Sequence, residues 1–475
     1  MRIHNTTCNP SDLPRRIGLF GAVGVMVGVV IGSGIFRQPP IIAQYLGSPS
    51  VILALWVLGG VLALCGALTF AELATMHPQS GGVYVFIREG FGRLPAFVFG
   101  WSYMLLMKPL GAAGIAVVFG EHLHHALGVD WRDLAEWLSA GLGARLDSVL
   151  GSGWAVMLTT ALMLTVLTAI NVRGVRLGTV VAGTLTAIKF AAVAAIVLVP
   201  LCLGAGDLSN FKPGPAPGSF YAAIVPVMAG IMWTYDGWSD VGAIAGEVRD
   251  PQRTLPRVYL LGTLAVIALY VFVNAAYIAV IPLEHMRTLD TLAPALLERV
   301  VGASAGVVAA ALIALSTFGS THGSIMTGAR VTYQQSRDGL LFAILGRVHP
   351  RHETPAVALW VQLALSILAL VTMRTFQSLA EGYVFLMWVF FGLAAGAVFV
   401  LRVRRPDAPR PFRCPGYPVV PAVFVLAAVG MTVLSVLESP GPSVRWLAVI
   451  AAGVPAYWVW RRVVGAATTG RTHES

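Results

Sequence analysis

The chain has 475 residues, of which 57% are hydrophobic and 11% are charged, and its formal net charge is +10. This composition excludes an ordinary soluble domain, because such domains carry about twice as many charged residues. It also argues against nucleic-acid binding, because most of the 32 lysines and arginines lie on one side of the predicted membrane spans. The basic excess therefore indicates membrane topology, with both termini in the cytoplasm.

Runs of about 20 apolar residues recur along the chain, which is the length that an α-helix needs to cross a bilayer. They predict an all-α integral membrane protein with twelve transmembrane helices, placed in the inner (plasma) membrane. We expect no nucleic-acid partner, no cofactor and no metal, since no residue cluster has metal-ligand spacing. The expected spans are 17–45, 49–76, 93–125, 152–172, 178–204, 220–247, 256–282, 303–334, 355–373, 379–402, 419–438 and 443–463.

The first span contains Gly32-Ser33-Gly34. Glycine is a poor helix former, so these residues predict a break between two half-helices. At mid-membrane, such a break leaves the first amides of the second half-helix without partners, which makes a site for a small carboxylate. The alternative is that the glycines only allow another helix to pack closely.

The sixth span has a similar interruption, where Asp236, Gly237 and Asp240 follow an apolar run. Charged residues here cannot face lipid. Two broken spans, five spans apart, are typical of an inverted repeat with a site at the membrane midplane. The expected organisation is a cytoplasmic tail 1–16, a first five-helix repeat 17–204, an outer loop 205–219, a second five-helix repeat 220–402, two further helices with their preceding basic loop 403–463, and a cytoplasmic tail 464–475.

Three ionisable side chains stand out inside other predicted spans: Lys108, Lys189 and His322. Such a group is costly in a membrane and usually faces a cavity or a partner. For Lys108, pairing with a backbone carbonyl freed by Pro109 and a direct functional role are both open. Lys189 has no acidic neighbour in sequence, so its ammonium must find carbonyls or hydroxyls on other helices. His322 could titrate near neutral pH, or serve only in packing and hydrogen bonding.

Several motifs occur in a fixed order between about residues 17 and 402, and their combination is more specific than any one of them. They are Ile31-Gly-Ser-Gly-Ile-Phe36, Ala71-Glu-Leu73 with Ser80-Gly-Gly82, Lys108-Pro109, Lys189, Tyr235-Asp-Gly-Trp238 with Glu247-Val-Arg-Asp-Pro251, and Phe318-Gly-Ser-Thr-His-Gly-Ser324 leading to Gly328-Ala-Arg330.

This pattern resembles the amino acid–polyamine–organocation superfamily, and within it the L-type amino acid transporter family. That family includes the light chains of heteromeric transporters and their bacterial relatives. The resemblance implies a LeuT-type fold, with five plus five helices in an inverted repeat and two extra C-terminal helices. It also implies transport of an amino acid by alternating access.

The resemblance further implies roles for individual residues. The amides of Ser33, Gly34 and Ile35 would hold the substrate carboxylate, and Trp233 would form an aromatic gate over the substrate. Carbonyls of Ile31, Trp233 and Thr234 would take the α-ammonium. The implied substrate site comprises Ile31, Gly32, Ser33, Gly34, Ile35, Trp233, Thr234, Asp236 and Gly237.

Lys189 matches the lysine that stands where sodium-coupled relatives bind a cation. In this position it would reach carbonyls around Gly28–Ile31, with Ser316 and Thr317 as neighbours, and transport would need no sodium. Lys108 and His322 are accessory candidates, and His322 stands where many relatives have Asn, which raises the question of pH dependence.

We expect a secondary transporter, not an enzyme, and in particular an exchanger of neutral amino acids. Proton-coupled uptake of cationic amino acids or polyamines is the alternative, because Asp236 could attract a cationic side chain. A non-transporting sensor or a channel on the same fold is a different class of function. The predicted outer loop 126–151 has no cysteine, so we expect no disulfide-linked heavy chain.

Overall fold

A computed structural model describes residues 15–128, 153–215 and 217–471, with the backbone alone over 175–188 and 463–471. Over these residues every regular element is helical, apart from one isolated β-bridge, so the all-α class is confirmed for that part of the chain. Most of the predicted outer loop 126–151 lies outside the described residues. The α-helices are α1 (Leu19–Val30), α2 (Gly34–Tyr45), α3 (Pro49–Met76), α4 (Val83–Phe91), α5 (Arg93–Ser102), α6 (Lys108–Leu127), α7 (Trp154–Val172), α8 (Val175–Cys202), α9 (Phe220–Tyr235), α10 (Asp240–Ala243), α11 (Pro251–Val280), α12 (Leu283–Met286), α13 (Leu292–Val301), α14 (Ala303–Arg337), α15 (Ala356–Met373), α16 (Phe376–Arg404), α17 (Val419–Glu438) and α18 (Pro440–Arg471).

Among the described residues, 9 helical segments are long and apolar enough to cross a membrane. Two of them combine elements: α1 with α2, and α5 with α6 through a π-helical turn at Tyr103–Met107. Lys189–Cys202 and Phe220–Tyr235 are shorter apolar helices. A multi-pass membrane protein is therefore supported, while the count of twelve spans stays a prediction. The 9 segments are Leu19–Tyr45, Pro49–Met76, Arg93–Leu127, Trp154–Val172, Pro251–Val280, Ala303–Arg337, Ala356–Met373, Phe376–Arg404 and Val419–Glu438.

Both predicted helix breaks are present. The first lies between α1, which ends at Val30, and α2, which begins at Gly34. The second follows the end of α9 at Tyr235, and the chain resumes only as the short helix α10. Gly237 lies in this second break with a φ of 120°, a backbone conformation that glycine adopts without steric cost.

Helix α14 lies at the centre of the molecule and packs against α1, α6, α8 and α10. Small residues let the first break come close to it, since a Cβ on Gly323 would lie 2.6 Å from a methyl group of Val29. Hydroxyl side chains recur every four residues or so along its buried length, which places them on one face. They are Ser316, Ser320, Ser324 and Thr327.

The segment before α1 is tied to the segment after α10. Ile17 donates its amide to the carbonyl of Glu247 at 2.9 Å and accepts from the amide of Arg249 at 2.8 Å. The Glu247 side chain is fully buried and accepts a hydrogen bond from Arg330 Nε at 2.8 Å. These contacts hold the two interrupted segments together at the end of α1 that is remote from the break.

Candidate functional site

The first break leaves three backbone amides without acceptors. Within the described part of the chain, the amides of Ser33, Gly34 and Ile35 donate no hydrogen bond, and no side chain caps the start of α2. The positive end of the α2 dipole lies behind them. This arrangement suits a carboxylate, because such a group accepts hydrogen bonds from several amides at once.

A narrow cavity lies between the two breaks, with about 30 Å³ open to a water-sized sphere. Five of the nine predicted substrate-site residues line it, and the other four are buried beside them. The lining consists of Val29, Val30, Gly32, Ser33, Gly34, Lys108, Gly111, Ile115, Trp233, Asp236, Asp240, Ser324 and Tyr383.

The start of α2 is packed tightly against α9. A Cβ on Gly34 would lie 2.7 Å from Thr234 Cα, a distance that real Cβ atoms do not reach. Trp233 Nε1 lies 3.4 Å from Ser33 Oγ, and its ring meets Tyr383 and Phe376 edge-on, at centroid distances of 5.3 and 5.5 Å. The indole therefore covers the start of α2 and is itself held by two aromatic rings.

Two acids on the cavity wall have different surroundings. Asp240 accepts from Lys108 Nζ at 2.8 and 3.1 Å and from Thr327 Oγ1 at 2.8 Å, so its charge is matched. Asp236 accepts from the hydroxyl of Tyr383 through Oδ2, while Oδ1 is buried and has no hydrogen-bond partner among the described residues. The cavity thus has one carboxylate oxygen left for another donor.

Lys189 is buried between α8, α1 and α14. Its Nζ donates to the carbonyl of Gly28, to the carbonyl of Ile31 at 3.1 Å and to Ser320 Oγ at 2.5 Å. An ammonium has three protons, and here each has an acceptor. The predicted contact with carbonyls around Gly28–Ile31 is therefore confirmed.

The profile of a known protein family matches residues 17–459, and its description is amino acid permease. The chain belongs to the amino acid permease family. This family is part of the amino acid–polyamine–organocation superfamily, as the motifs indicated, and its members are transporters and not enzymes.

Individual relatives align with this permease over nearly the whole chain. The b(0,+)-type amino acid transporter 1 of Rattus norvegicus is 31% identical over 92% of this chain and 86% of its own length. The cystine/glutamate transporter of Homo sapiens is 31% identical, with 94% and 86% covered. The serine/threonine exchanger SteT of Bacillus subtilis (strain 168) is 29% identical, with 94% and 97% covered.

The structure of the permease corrects the expected neighbours of Lys189. Ser320 contacts the ammonium, whereas Ser316 donates only to the Ile31 carbonyl at 3.3 Å and Thr317 bonds back within its own helix. Ser320 lies one turn after Ser316 on the same helix face. The four-residue spacing of Ser316 and Ser320 indicates that both hydroxyls lie on the same face of the helix, but the sequence alone does not say which of them reaches the lysine.

The Ile31 carbonyl is one of the expected ligands of the substrate ammonium. It already faces donors from Lys189, Ser316 and Ser320 at 2.8 to 3.3 Å. Since a carbonyl oxygen has two lone pairs, these donors would compete with a substrate ammonium for it. The Val29 carbonyl, in contrast, accepts no hydrogen bond in the described residues, and Val29 lines the cavity.

The two accessory candidates occupy different places. Lys108 lines the cavity of the permease, but its partner is the Asp240 carboxylate and not the carbonyl that Pro109 would free. His322 is fully buried on α14, outside the cavity lining, and its Nδ1 lies 2.9 Å from Asn171 Nδ2. This position is compatible with the packing and hydrogen-bonding role that the sequence left open.

Proposed function

We propose that this permease is a sodium-independent exchanger of neutral amino acids that works by alternating access. The observation that carries the proposal is the set of three unpartnered amides at Ser33, Gly34 and Ile35, at the start of α2. They form a fixed carboxylate receptor that every α-amino acid can use. The twelve-span, five-plus-five inverted repeat is part of this proposal, and the two helix breaks support it.

The α-ammonium would bind opposite these amides, at carbonyls freed by the two breaks. Thr234 and Val29 each have a carbonyl that accepts no hydrogen bond within the described residues. Trp233 covers the start of α2, so its indole would close over a bound substrate. The open space of about 30 Å³ is too small for an amino acid, so the indole or its neighbours must move when substrate enters.

Sodium independence rests on Lys189. Its ammonium already supplies a positive charge to the carbonyls of Gly28 and Ile31, which are the kind of ligands that a bound sodium ion would use. With that position filled by a side chain, the break in the first span would be stabilised without an ion. Exchange would then be driven by the amino acid gradients alone.

Uptake of cationic amino acids or polyamines, coupled to protons, is the second candidate, and one observation favours it. In the part of the chain that the structure describes, Asp236 Oδ1 is buried without a hydrogen-bond partner, while the charge of Lys108 is matched by Asp240. The cavity therefore has one unmatched carboxylate that could pair with a substrate cation.

We also propose that the permease acts without a disulfide-linked heavy chain, because the loop 126–151 has no cysteine. Its place would be the inner (plasma) membrane, with both termini in the cytoplasm. In a channel on the same fold, substrate on the far side would not accelerate flux. A sensor on that fold would not transport substrate.

Thermal stabilisation of the purified protein in choline buffer tests the substrate class, since a ligand stabilises the folded state that binds it. Serine and leucine should raise the melting temperature, and glutamate should not. Stabilisation by arginine or putrescine alone would establish the cationic alternative. No stabilisation by any of these compounds would contradict both proposals.

A further inference from the structure

The ion pair between Lys108 and Asp240 lies in the wall of the central cavity. Both side chains line that cavity, and they are 5% and 10% exposed. Lys108 Nζ donates to both carboxylate oxygens of Asp240, at 2.8 and 3.1 Å, and within the described residues it has no other acceptor. The ammonium therefore borders the substrate space with its charge already matched.

Helix α14 holds both members of the pair in place. A Cβ on Gly328 would lie 2.5 Å from Lys108 Cγ, so the lysine stem lies directly against the backbone of that helix. Thr327 Oγ1, on the same helix, lies 2.8 Å from Asp240 Oδ2. A stem packed in this way limits how far the ammonium can move, so we expect it to stay beside the cavity when its partner is changed.

The charges around the cavity do not suit a substrate with an acidic side chain. Among the described residues that line it, Lys108 is the only cation, while Asp236 and Asp240 are both acids. The α-carboxylate of a bound amino acid would use the free amides at the start of α2, so a second carboxylate on the side chain would need another donor. A carboxylate is costly to bury without a matching cation.

We propose that Asp240 determines the charge selectivity of the permease: it occupies the Lys108 ammonium and so excludes amino acids with an acidic side chain. If Asp240 were neutral, the ammonium would lack a counter-ion and could pair with a substrate side-chain carboxylate. This inference rests on the proposed amino acid site and names the side chains that the site rejects. It applies to neutral and to cationic substrates alike, since neither brings a second negative charge.

An isosteric replacement of the acid tests the inference. Purified wild type and Asp240→Asn are titrated with L-aspartate and, separately, with its neutral isostere L-asparagine, while the melting temperature is followed. The aspartate concentration for half-maximal stabilisation should be about ten- to hundred-fold lower in Asp240→Asn than in the wild type, as expected for a hydrogen bond to a charged group. Asparagine should show no such gain. Asp240→Ser, which removes the same charge and leaves more room beside the ammonium, serves as the test variant if Asp240→Asn does not fold.

Two further variants separate the ion pair from a general change of charge. Asp236→Asn removes an acid from the same cavity but leaves Lys108 paired, so it should gain no aspartate binding. Adding Lys108→Gln to Asp240→Asn removes the freed ammonium and should abolish the gain. Equal gains for aspartate and asparagine, an equal gain in Asp236→Asn, or a gain that survives the loss of Lys108 would overturn the inference.

The results also separate this inference from the proposed function. A wild type that serine stabilises, together with Asp240 variants that gain no aspartate binding, would overturn the inference alone. A wild type that no amino acid stabilises, together with an Asp240→Asn variant that aspartate stabilises, would support the role of Asp240 and contradict the exchange of neutral amino acids. Absence of stabilisation in every variant would contradict both.

Discussion

Replacement of Lys189 by Ala probes the first break directly. The break deprives two carbonyls of their helical partners, because the amide of Gly32 donates to Val30 and the amide of Ile35 donates to nothing in the described residues. The carbonyls of Gly28 and Ile31 therefore depend on side-chain donors. Lys189 supplies one hydrogen bond to each of them.

The free-energy cost of the Lys189→Ala substitution follows from counting the hydrogen-bond donors that remain near these two carbonyls. Ser320 Oγ lies 2.9 and 2.8 Å from the carbonyls of Gly28 and Ile31, but its hydroxyl has one proton and can serve one of them at a time. Ser316 offers Ile31 only a long contact of 3.3 Å. About one buried carbonyl is then poorly satisfied, at a cost of about 1–3 kcal/mol. This cost corresponds to a loss of about 5- to 150-fold in the population of the binding-competent break.

The assay is exchange by reconstituted protein in choline buffer, with Lys212→Ala as the matched control, since Lys212 lies on an exposed loop. Lys189→Met keeps a long side chain that cannot donate hydrogen bonds. We expect this variant to lose exchange as the Ala variant does. Added sodium should restore transport in neither variant. Exchange by Lys189→Ala equal to that of the Lys212 control would refute the reasoning.

Three further predictions follow from single contacts. Gly34→Ala should abolish substrate-induced thermal stabilisation, because its Cβ would lie 2.7 Å from the backbone of α9. The control Gly430→Ala, whose Cβ meets no atom within 4 Å, should retain that stabilisation. Normal stabilisation of the Gly34 variant by substrate would exclude the half-helix site. Asp236→Asn should leave serine exchange within a few-fold of wild type and eliminate any arginine uptake, and unchanged arginine uptake would remove this acid from the site. Glu247→Gln should lower the free energy of unfolding by about 3–5 kcal/mol, because its guanidinium partner stays buried and unpaired. The exposed acid Glu353 serves as the control in chemical denaturation, where Glu353→Gln should cost under about 1 kcal/mol.

Features that depend on local chemistry could be predicted from the sequence. The Gly32-Ser33-Gly34 run and the Asp236-Gly237 pair mark both helix breaks because closely spaced glycines, or a glycine beside an acid, weaken an apolar helix locally. The isolated position of Lys189 required carbonyl or hydroxyl partners, and the structure provides both. These inferences needed no knowledge of which helices are neighbours.

Contacts between distant helices could not be predicted in the same way. Lys108 and Asp240 are 132 residues apart, and nothing in either segment says that they face each other. The choice of Ser320 over Ser316 depends on the register of α14 against α1, two helices that approach closely at Gly323 and Val29. The number of donor groups around the Ile31 carbonyl depends on the same contacts, so the sequence did not reveal it either.

Counterflow of serine across proteoliposomes that contain this protein alone is the most direct test of the central claim. The vesicles are loaded with unlabelled serine, diluted into choline buffer with a trace of labelled serine, and compared with empty vesicles and with vesicles in sodium buffer. The account predicts a transient accumulation of label that requires internal serine and has the same size in choline and in sodium. Uptake that ignores internal serine, or that appears only in sodium, would contradict it.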